Sequence, residues 1–353
     1  MIKVLKMGSA FIGIIIGAGF ASGNEIMTYF TSFGIAGIFG AILCTALFAY
    51  LGMVLTRLGS RMQTNSHKDV IYKISGRYLG IIVDGIIIFT LFGVGVVMLA
   101  GAGANLNQQF GLPSYFGSLL MIVLVFLTVL LNVDKVVGVI GSITPFLILT
   151  VIGVSIYSLS TMDTTFAVLD PVAKAVPTTL PNWFISAINY VSFNVAVGAS
   201  MSIVMGGAEK NEKTAAWGGF VGGLGLGILI LLSHLAIFSQ VDAVAGTELP
   251  MLAVINTISP ILAVFMAIIL YGMIFNTAVS MFYAFGSRFI YNGTKKFKVF
   301  VAASLLIGYV LSFYGFTNLV SYFYPLVGYL GLFLVGALIF ATFRMPQLKN
   351  KEG

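Results

Sequence analysis

The chain has 353 residues, of which 59% are hydrophobic and 8% charged, and its mean hydropathy is +1.06. Soluble domains carry about 25% charged residues, so the chain reads as an integral membrane protein. One cysteine, Cys44, and two histidines, His67 and His234, exclude an intrachain disulfide framework and argue against a multi-histidine or cysteine-based metal centre.

Apolar windows of about 20 residues, the length that spans a bilayer, fall at 4–30, 34–56, 78–104, 114–132, 136–159, 183–207, 215–239, 260–287, 298–314 and 319–343. The first is too long for the apolar region of a signal peptide, and no clear small-x-small cleavage site goes with it. It also carries an anomaly, "GAGFASGNE" at 17–25. In hydrocarbon every backbone N–H and C=O must be paired, so a loosened helix is tolerated only where protein or a water-filled cavity surrounds it. The second window has Gly34, Gly37 and Gly40 and is followed by a long basic connection, 57–77. The third is unusually long.

The sixth window repeats the anomaly with "SFNVAVGAS" at 192–200, and the seventh repeats the glycines with Gly218, Gly219, Gly222 and Gly223. A long connection again follows, 240–259, this time acidic and with a helix-like amphipathic core, and the eighth window is again long. Because each half holds an odd number of spans, the second half enters the membrane in the opposite sense. The reading is a 5+5 inverted repeat of ten helices with helices 1 and 6 interrupted, the pattern that points to a transporter binding site. Its parts are 1–159, an external connection at 160–182, an inverted half at 183–343 and a cytoplasmic tail at 344–353.

The charges agree with this layout. If the N-terminus is inside, every one of the 18 Lys and Arg except Lys174 falls on the cytoplasmic side, including Lys135, Lys349 and Lys351. The net charge of +7 is therefore a topology signal rather than a nucleic-acid footprint. A multi-pass protein of the plasma membrane with both termini cytoplasmic is expected. Its partners are the bilayer and a small-molecule substrate, and self-association is left open.

The run "GAGFASGNEI", with the external "ELPMLAVIN" (248–256), resembles the LeuT-fold, or amino acid–polyamine–organocation, transporters and within them the YkvI-like bacterial membrane proteins, an amino acid permease-like group. The resemblance implies a sodium site made of the carbonyls of Gly17, Phe20 and Met273 and the side chains of Asn276 and Thr277, with Ser280 as a second option. The family pair is Ser or Thr, so Asn276 leaves the identity of the coupling ion open. No cofactor beyond such an ion is expected.

An unwound helix frees carbonyls that suit a cation and N–H groups that suit a carboxylate. Gly19, Ala21, Ser22, Gly23 and Asn24 would surround the substrate, with Phe193, Asn194 and Ser200 across the cavity and Phe89 and Phe92 as walls. Glu25 is the informative charge, since a carboxylate inside a span is costly. It would bind an ammonium group, hold a cation or carry a proton, unless it is solvated at the external mouth. Asp84 reads as a partner for a basic residue or an interfacial charge, and His234 as an interior hydrogen-bonded side chain. Asp242 and Glu248 read as surface groups or part of an external lid.

The leading function is secondary transport of an amino acid or amine by alternating access. Proton coupling, a passive channel and a non-transporting receptor on the same fold are the alternatives. No H-E-x-x-H, G-x-S-x-G triad or P-loop appears, so neither an intramembrane enzyme nor ATP-driven pumping is supported.

Overall fold

The computed structural model describes residues 1–64, 67–130, 144–291 and 293–344. Lys135, the beginning of the window at 136–159, Lys349, Lys351 and all but the first residue of the tail lie outside them. The described residues form helices and no strand. The first window becomes three short helices, α1 (Ile2–Ile15), α2 (Ala18–Ser22) and α3 (Asn24–Tyr29). After them come α4 (Ala36–Met62), α5 (His67–Phe110), α6 (Ser114–Leu130), α7 (Thr144–Ser160) and α8 (Phe166–Lys174). The remainder is α9 (Trp183–Gly207), α10 (Glu212–Phe238), α11 (Val241–Val244), α12 (Pro250–Ile258), α13 (Pro260–Ser287), α14 (Lys295–Ser312) and α15 (Phe316–Arg344).

Among the described residues six helices are long and apolar enough to cross a bilayer: α4, α5 from Gly76 onward, α9, α10, α13 and α15 up to Phe343. Several start on a side-chain cap, which satisfies one of the orphan N–H groups of a first turn. Asn182 Oδ1 accepts from the Ile185 N–H at 2.9 Å before α9, and Asn211 Oδ1 from the Thr214 N–H at 3.0 Å before α10.

Two expectations change. The basic connection expected at 57–77 is mostly helix: α4 runs on to Met62, and α5 begins at His67 and bends at Gly76, whose φ of 72° no other residue type adopts readily. The interruption expected in the sixth window is absent, because α9 is one unbroken helix of 25 residues. Its Asn194 Nδ2 donates to the Tyr190 carbonyl one turn back at 2.9 Å, a bond that sits on a regular helix without opening it. Gly198 serves packing, since a Cβ there would run into the Ile15 side chain.

The glycine-rich helices pack on one another. Cβ atoms at Gly219 or Gly223 of α10 would overlap the backbone of Gly52 or Phe48 on α4, and Thr56 Oγ1 on α4 donates to the Ala215 carbonyl of α10 at 2.8 Å. Such close approach of small residues is how helices associate in lipid, where no hydrophobic force drives them together.

The bundle has two unlike ends. At the basic end Glu212 takes Arg57 at 2.5 Å and Arg61 at 2.9 Å, Glu209 meets Lys3 at 3.9 Å, and Asp84 pairs with Arg288 at 3.0 Å. The other end is covered by α8, α11 and α12. There Asp170 accepts the Ile35 N–H at 2.8 Å and the Lys174 ammonium at 2.6 Å. Partial burial alone would raise the Asp170 carboxyl, but Lys174 and the Ile35 N–H outweigh it and hold it below its ordinary value.

Candidate functional site

The site starts where α1 stops. Ile16 and Gly17 are extended, so the carbonyls of Gly13, Ile14 and Ile15 have no helical N–H four residues on to receive. The chain re-enters helix at Ala18 and breaks a second time at Gly23, which has φ 82°. A Cβ at Gly23 would lie 2.7 Å from the backbone nitrogen of Met251 on α12, so both its conformation and its neighbour require glycine. Ser22 closes the short turn between, its Oγ donating to the Gly19 carbonyl at 2.7 Å and accepting the Asn24 N–H at 3.2 Å.

Glu25 begins the next helical turn and folds its carboxylate back over Gly19, where a Cβ would overlap it. It is 4% exposed, and its Oε2 accepts from the Tyr190 hydroxyl of α9 at 3.0 Å. No Lys, Arg or His is paired with it among the described residues. Tyr190 is itself held by aromatic neighbours, Tyr29 at 4.9 Å and Phe30 at 5.1 Å between ring centroids. The carboxylate is thus an interior group and not a solvated residue at an external mouth.

A cavity of about 250 Å³ opens at the first break. Gly17, Gly19 and Glu25 border it from the broken helix, and Phe193 and Asn194 from α9. Met273, Asn276, Thr277 and Ser280 border it from α13. Asn276 Oδ1 is buried there without a hydrogen-bond partner among the described residues. From the break the space runs toward the basic end past Ile14, Met201 and Met281. The opposite end is shut by the connection before α12. Asn24 Nδ2 donates to the Glu248 carbonyl at 2.7 Å and to Thr317 Oγ1 at 3.1 Å. Gln108 binds Leu249 twice, donating to its carbonyl at 3.0 Å and accepting its N–H at 2.9 Å. The lid contact of Glu248 is therefore its backbone; burial pushes its carboxyl above the ordinary range. Asp242 is exposed.

Several residues expected at the site stand elsewhere. Ala21, Ser22, Gly23 and Asn24 are buried on the lid side of the break and do not border the cavity. Phe20 is 2% exposed and also off the cavity, with its carbonyl already accepting the Gly23 N–H at 3.0 Å. Phe89 is 44% exposed and leans on Phe323, Phe92 packs between Phe282 and Phe285, and Ser200 is half-buried away from the cavity. His234 is interior as expected, its Nδ1 3.1 Å from Thr31 Oγ1.

Two participants were missed. Tyr190, which holds Glu25, lies one helical turn before Asn194, a spacing that puts both on one face. Tyr324 borders the cavity and stacks on Phe193 at 4.1 Å with 23° between the rings. The signal for Tyr324 is its neighbour: Pro325 inside α15 cannot donate to the Ser321 carbonyl. That carbonyl instead takes Thr179 Oγ1 at 2.6 Å, while Asn189 Nδ2 donates to the Pro325 carbonyl at 2.9 Å.

Comparison with known proteins agrees with this architecture. No protein-family model matches the chain. It is 28% identical over 337 residues to the uncharacterized membrane protein YkvI of Bacillus subtilis (strain 168), covering 95% of this chain and 94% of YkvI. It is 25% identical to the YyaD protein of the same organism over 95% of this chain and 96% of YyaD. Among solved structures it is similar to MhsT in complex with L-phenylalanine, with TM-score 0.64 and 18% identity over 94% of this chain and 88% of that one. It is also similar to Mhp1 in an inward-facing conformation, with TM-score 0.59 and 13% identity over 99% and 80%. A manganese transporter of Eremococcus coleocola aligns with TM-score 0.57 and 14% identity over 95% and 77%. The chain has the LeuT fold, and the resemblance carried by "GAGFASGNEI" holds over nearly its whole length.

Proposed function

We propose that the chain is a secondary transporter of a small organic solute, an amino acid or an amine, working by alternating access around the break in its first span. The observation that carries this reading is a cavity that joins freed backbone carbonyls to a lone buried carboxylate at the centre of an apolar bundle. An ionisable group there is expensive unless it serves a ligand or an ion. The fold supports the reading, because MhsT and Mhp1 have the same architecture. On this reading the ten windows form a 5+5 inverted repeat in the plasma membrane, and the basic end is cytoplasmic with both termini. The cavity then faces inward, and the α12 region is the closed external lid.

Sodium is the coupling ion in this proposal. The unpartnered Asn276 Oδ1, the Thr277 hydroxyl and backbone near Gly17 and Met273 border one space and offer hard oxygen donors. Phe20 drops out of the set because its carbonyl is engaged away from the cavity. Uptake into proteoliposomes under an imposed sodium gradient tests this: solute should accumulate against its own gradient. Thr277→Ala should weaken the sodium dependence by about 5- to 150-fold, as expected for losing one buried polar partner at about 1–3 kcal/mol, while the purified yield is unchanged. Accumulation driven by a proton gradient and indifferent to sodium would favour the second reading, which Glu25 supports by having a hydroxyl and no cation beside it. Flux that only ever equalises concentrations would mean a channel.

A further inference from the structure

The cavity is lopsided in its hydrogen-bonding chemistry. Among the described residues Glu25 is the one charged residue that borders it, and no Lys, Arg or His does so. One carboxylate oxygen is held by Tyr190, and the other lies over Gly19. Asn276 Oδ1 adds a buried acceptor with nothing to accept. The freed carbonyls of Gly13, Ile14 and Ile15 add more, at the negative end of a 14-residue helix. The donors at the cavity are uncharged: besides the Thr277 and Ser280 hydroxyls and the Asn276 amide they are few. The N–H groups past the break belong to α2, a helix of five residues that gathers little dipole, and the Asn194 amide is spent on the Tyr190 carbonyl. Apart from the Thr277 and Ser280 hydroxyls the remaining wall is apolar, with Phe193 stacked on Tyr324 and Met98 also lining it.

Building on the transporter reading, we infer that the cargo of this site is a monovalent organic cation: an amine carrying an aryl or alkyl body and no carboxylate. A buried carboxylate with no cationic partner costs free energy until a cation arrives, and an ammonium supplies the donor that the free Glu25 oxygen lacks, while Asn276 stays with the coupling ion. A zwitterionic amino acid would bring a second carboxylate into a space already holding Glu25 and acceptor carbonyls, where no basic side chain meets it and the coupling sodium is already met by Asn276, Thr277 and backbone oxygens. The space, about 250 Å³, lies below the roughly 300–1,000 Å³ of pockets for drug-sized ligands and so suits a molecule of metabolite size. The stacked Phe193–Tyr324 wall receives the apolar body.

The test uses three probes of one skeleton on the full chain in nanodiscs: 2-phenylethylamine, L-phenylalanine and 3-phenylpropionate. A ligand that binds only the folded state raises the unfolding temperature by mass action. The amine should raise it, with an affinity on the order of tenfold or more above that of phenylalanine, a gap equivalent to about 1.4 kcal/mol. Phenylpropionate should do nothing. Glu25→Gln, which keeps size and hydrogen bonding, should remove the amine's effect, and Tyr324→Leu should weaken phenylethylamine more than propylamine. Phenylalanine binding as tightly as the amine would overturn the inference and leave the transporter reading standing. An amine effect that survives Glu25→Gln, or no effect from any amine, would also overturn it. The transporter reading is judged separately by thiol labelling of Ser280→Cys in a Cys44→Ser background, a position that alternating access exposes from each side of the membrane in turn.

Discussion

Two segments face each other across the cavity with similar residues and opposite behaviour. The stretch at 17–25 and the stretch at 192–200 both place glycine, serine and asparagine in the middle of an apolar span, yet the first breaks twice and the second stays helical throughout. What separates them is what lies beside each glycine. Gly19 leaves room for a carboxylate, and Gly23 takes a left-handed conformation against the backbone of Met251. Gly198 keeps helical dihedrals and leaves room for the tip of an isoleucine. The number of glycines in a span does not report unwinding; a charge or a positive φ that the helix must accommodate does. The symmetry suggested by the sequence is therefore broken where function would act, with one segment supplying the opened backbone and the other a rigid wall bearing Tyr190 and Phe193.

The sharpest way to break the comparison is to fill both segments. Gly19→Leu places its side chain where the Glu25 carboxylate lies, and that carboxylate is the movable end of a flexible side chain. Folding should survive while Glu25 leaves Tyr190 and the cavity fills. Uptake should fall to background with normal insertion and purification. Gly198→Leu meets the end of Ile15 instead and should leave a substantial fraction of uptake. Equal losses at the two positions would mean that α9 moves as much as the broken segment does.

Much of the architecture was legible because hydropathy is local. The windows at 183–207 and 260–287 coincide with α9 and α13, and the break in the first span, its carboxylate and the small polar residues at 273–280 meet at one cavity. What was not legible depends on the third dimension. Whether Asn194 opens its helix or folds onto it, and whether Phe89 faces a ligand or a neighbouring ring, is decided by packing that no window contains. Tyr190 and Tyr324 are two of 15 tyrosines, and their local marks, the one-turn spacing to Asn194 and the adjacent Pro325, do not by themselves say that either reaches the site. By sequence the end of α4 reads as part of the basic connection because Arg57 and Arg61 look like connection charges. They are helix residues paired to Glu212.

A gentler pair of substitutions sharpens the contrast in stability. Gly23→Ala must hold an L residue at φ 82°, which costs about 1–2 kcal/mol, and its Cβ also presses on the Met251 nitrogen. A backbone atom cannot step aside as a side-chain tip can, so the total should exceed the conformational cost alone and lower the unfolding temperature clearly. Gly198→Ala gains helix propensity of up to about 1 kcal/mol and asks only that the Ile15 tip shift, so its net effect should be near zero. Thermal unfolding of both variants in the same detergent measures the difference. A neutral Gly23→Ala would show that the second break is not built as described.

The smallest effect concerns how the broken segment is tethered after it ends. Asp170 of α8 holds the Ile35 N–H, just beyond α3, and is itself paired with Lys174. No comparable tether is needed behind α9, whose exit runs into the Asn211 cap of α10. The Asp170 carboxyl lies below its ordinary value, so its folded form binds a proton less readily than the unfolded chain does. Its contribution is then fully present above the unfolded value of about 3.9 and is lost as pH falls through the lower folded value. Asp170→Asn should accordingly lower the unfolding temperature slightly at neutral pH, with the gap to the parent protein closing below about pH 4. Because the group lies at the rim and its partner Lys174 is mostly exposed, salt should shrink the same gap. A gap that is unchanged by acid would place the benefit of Asp170 in shape rather than charge. The loop after the broken span would then be held by packing around Gly34, where a Cβ would overlap the Asp170 carboxylate.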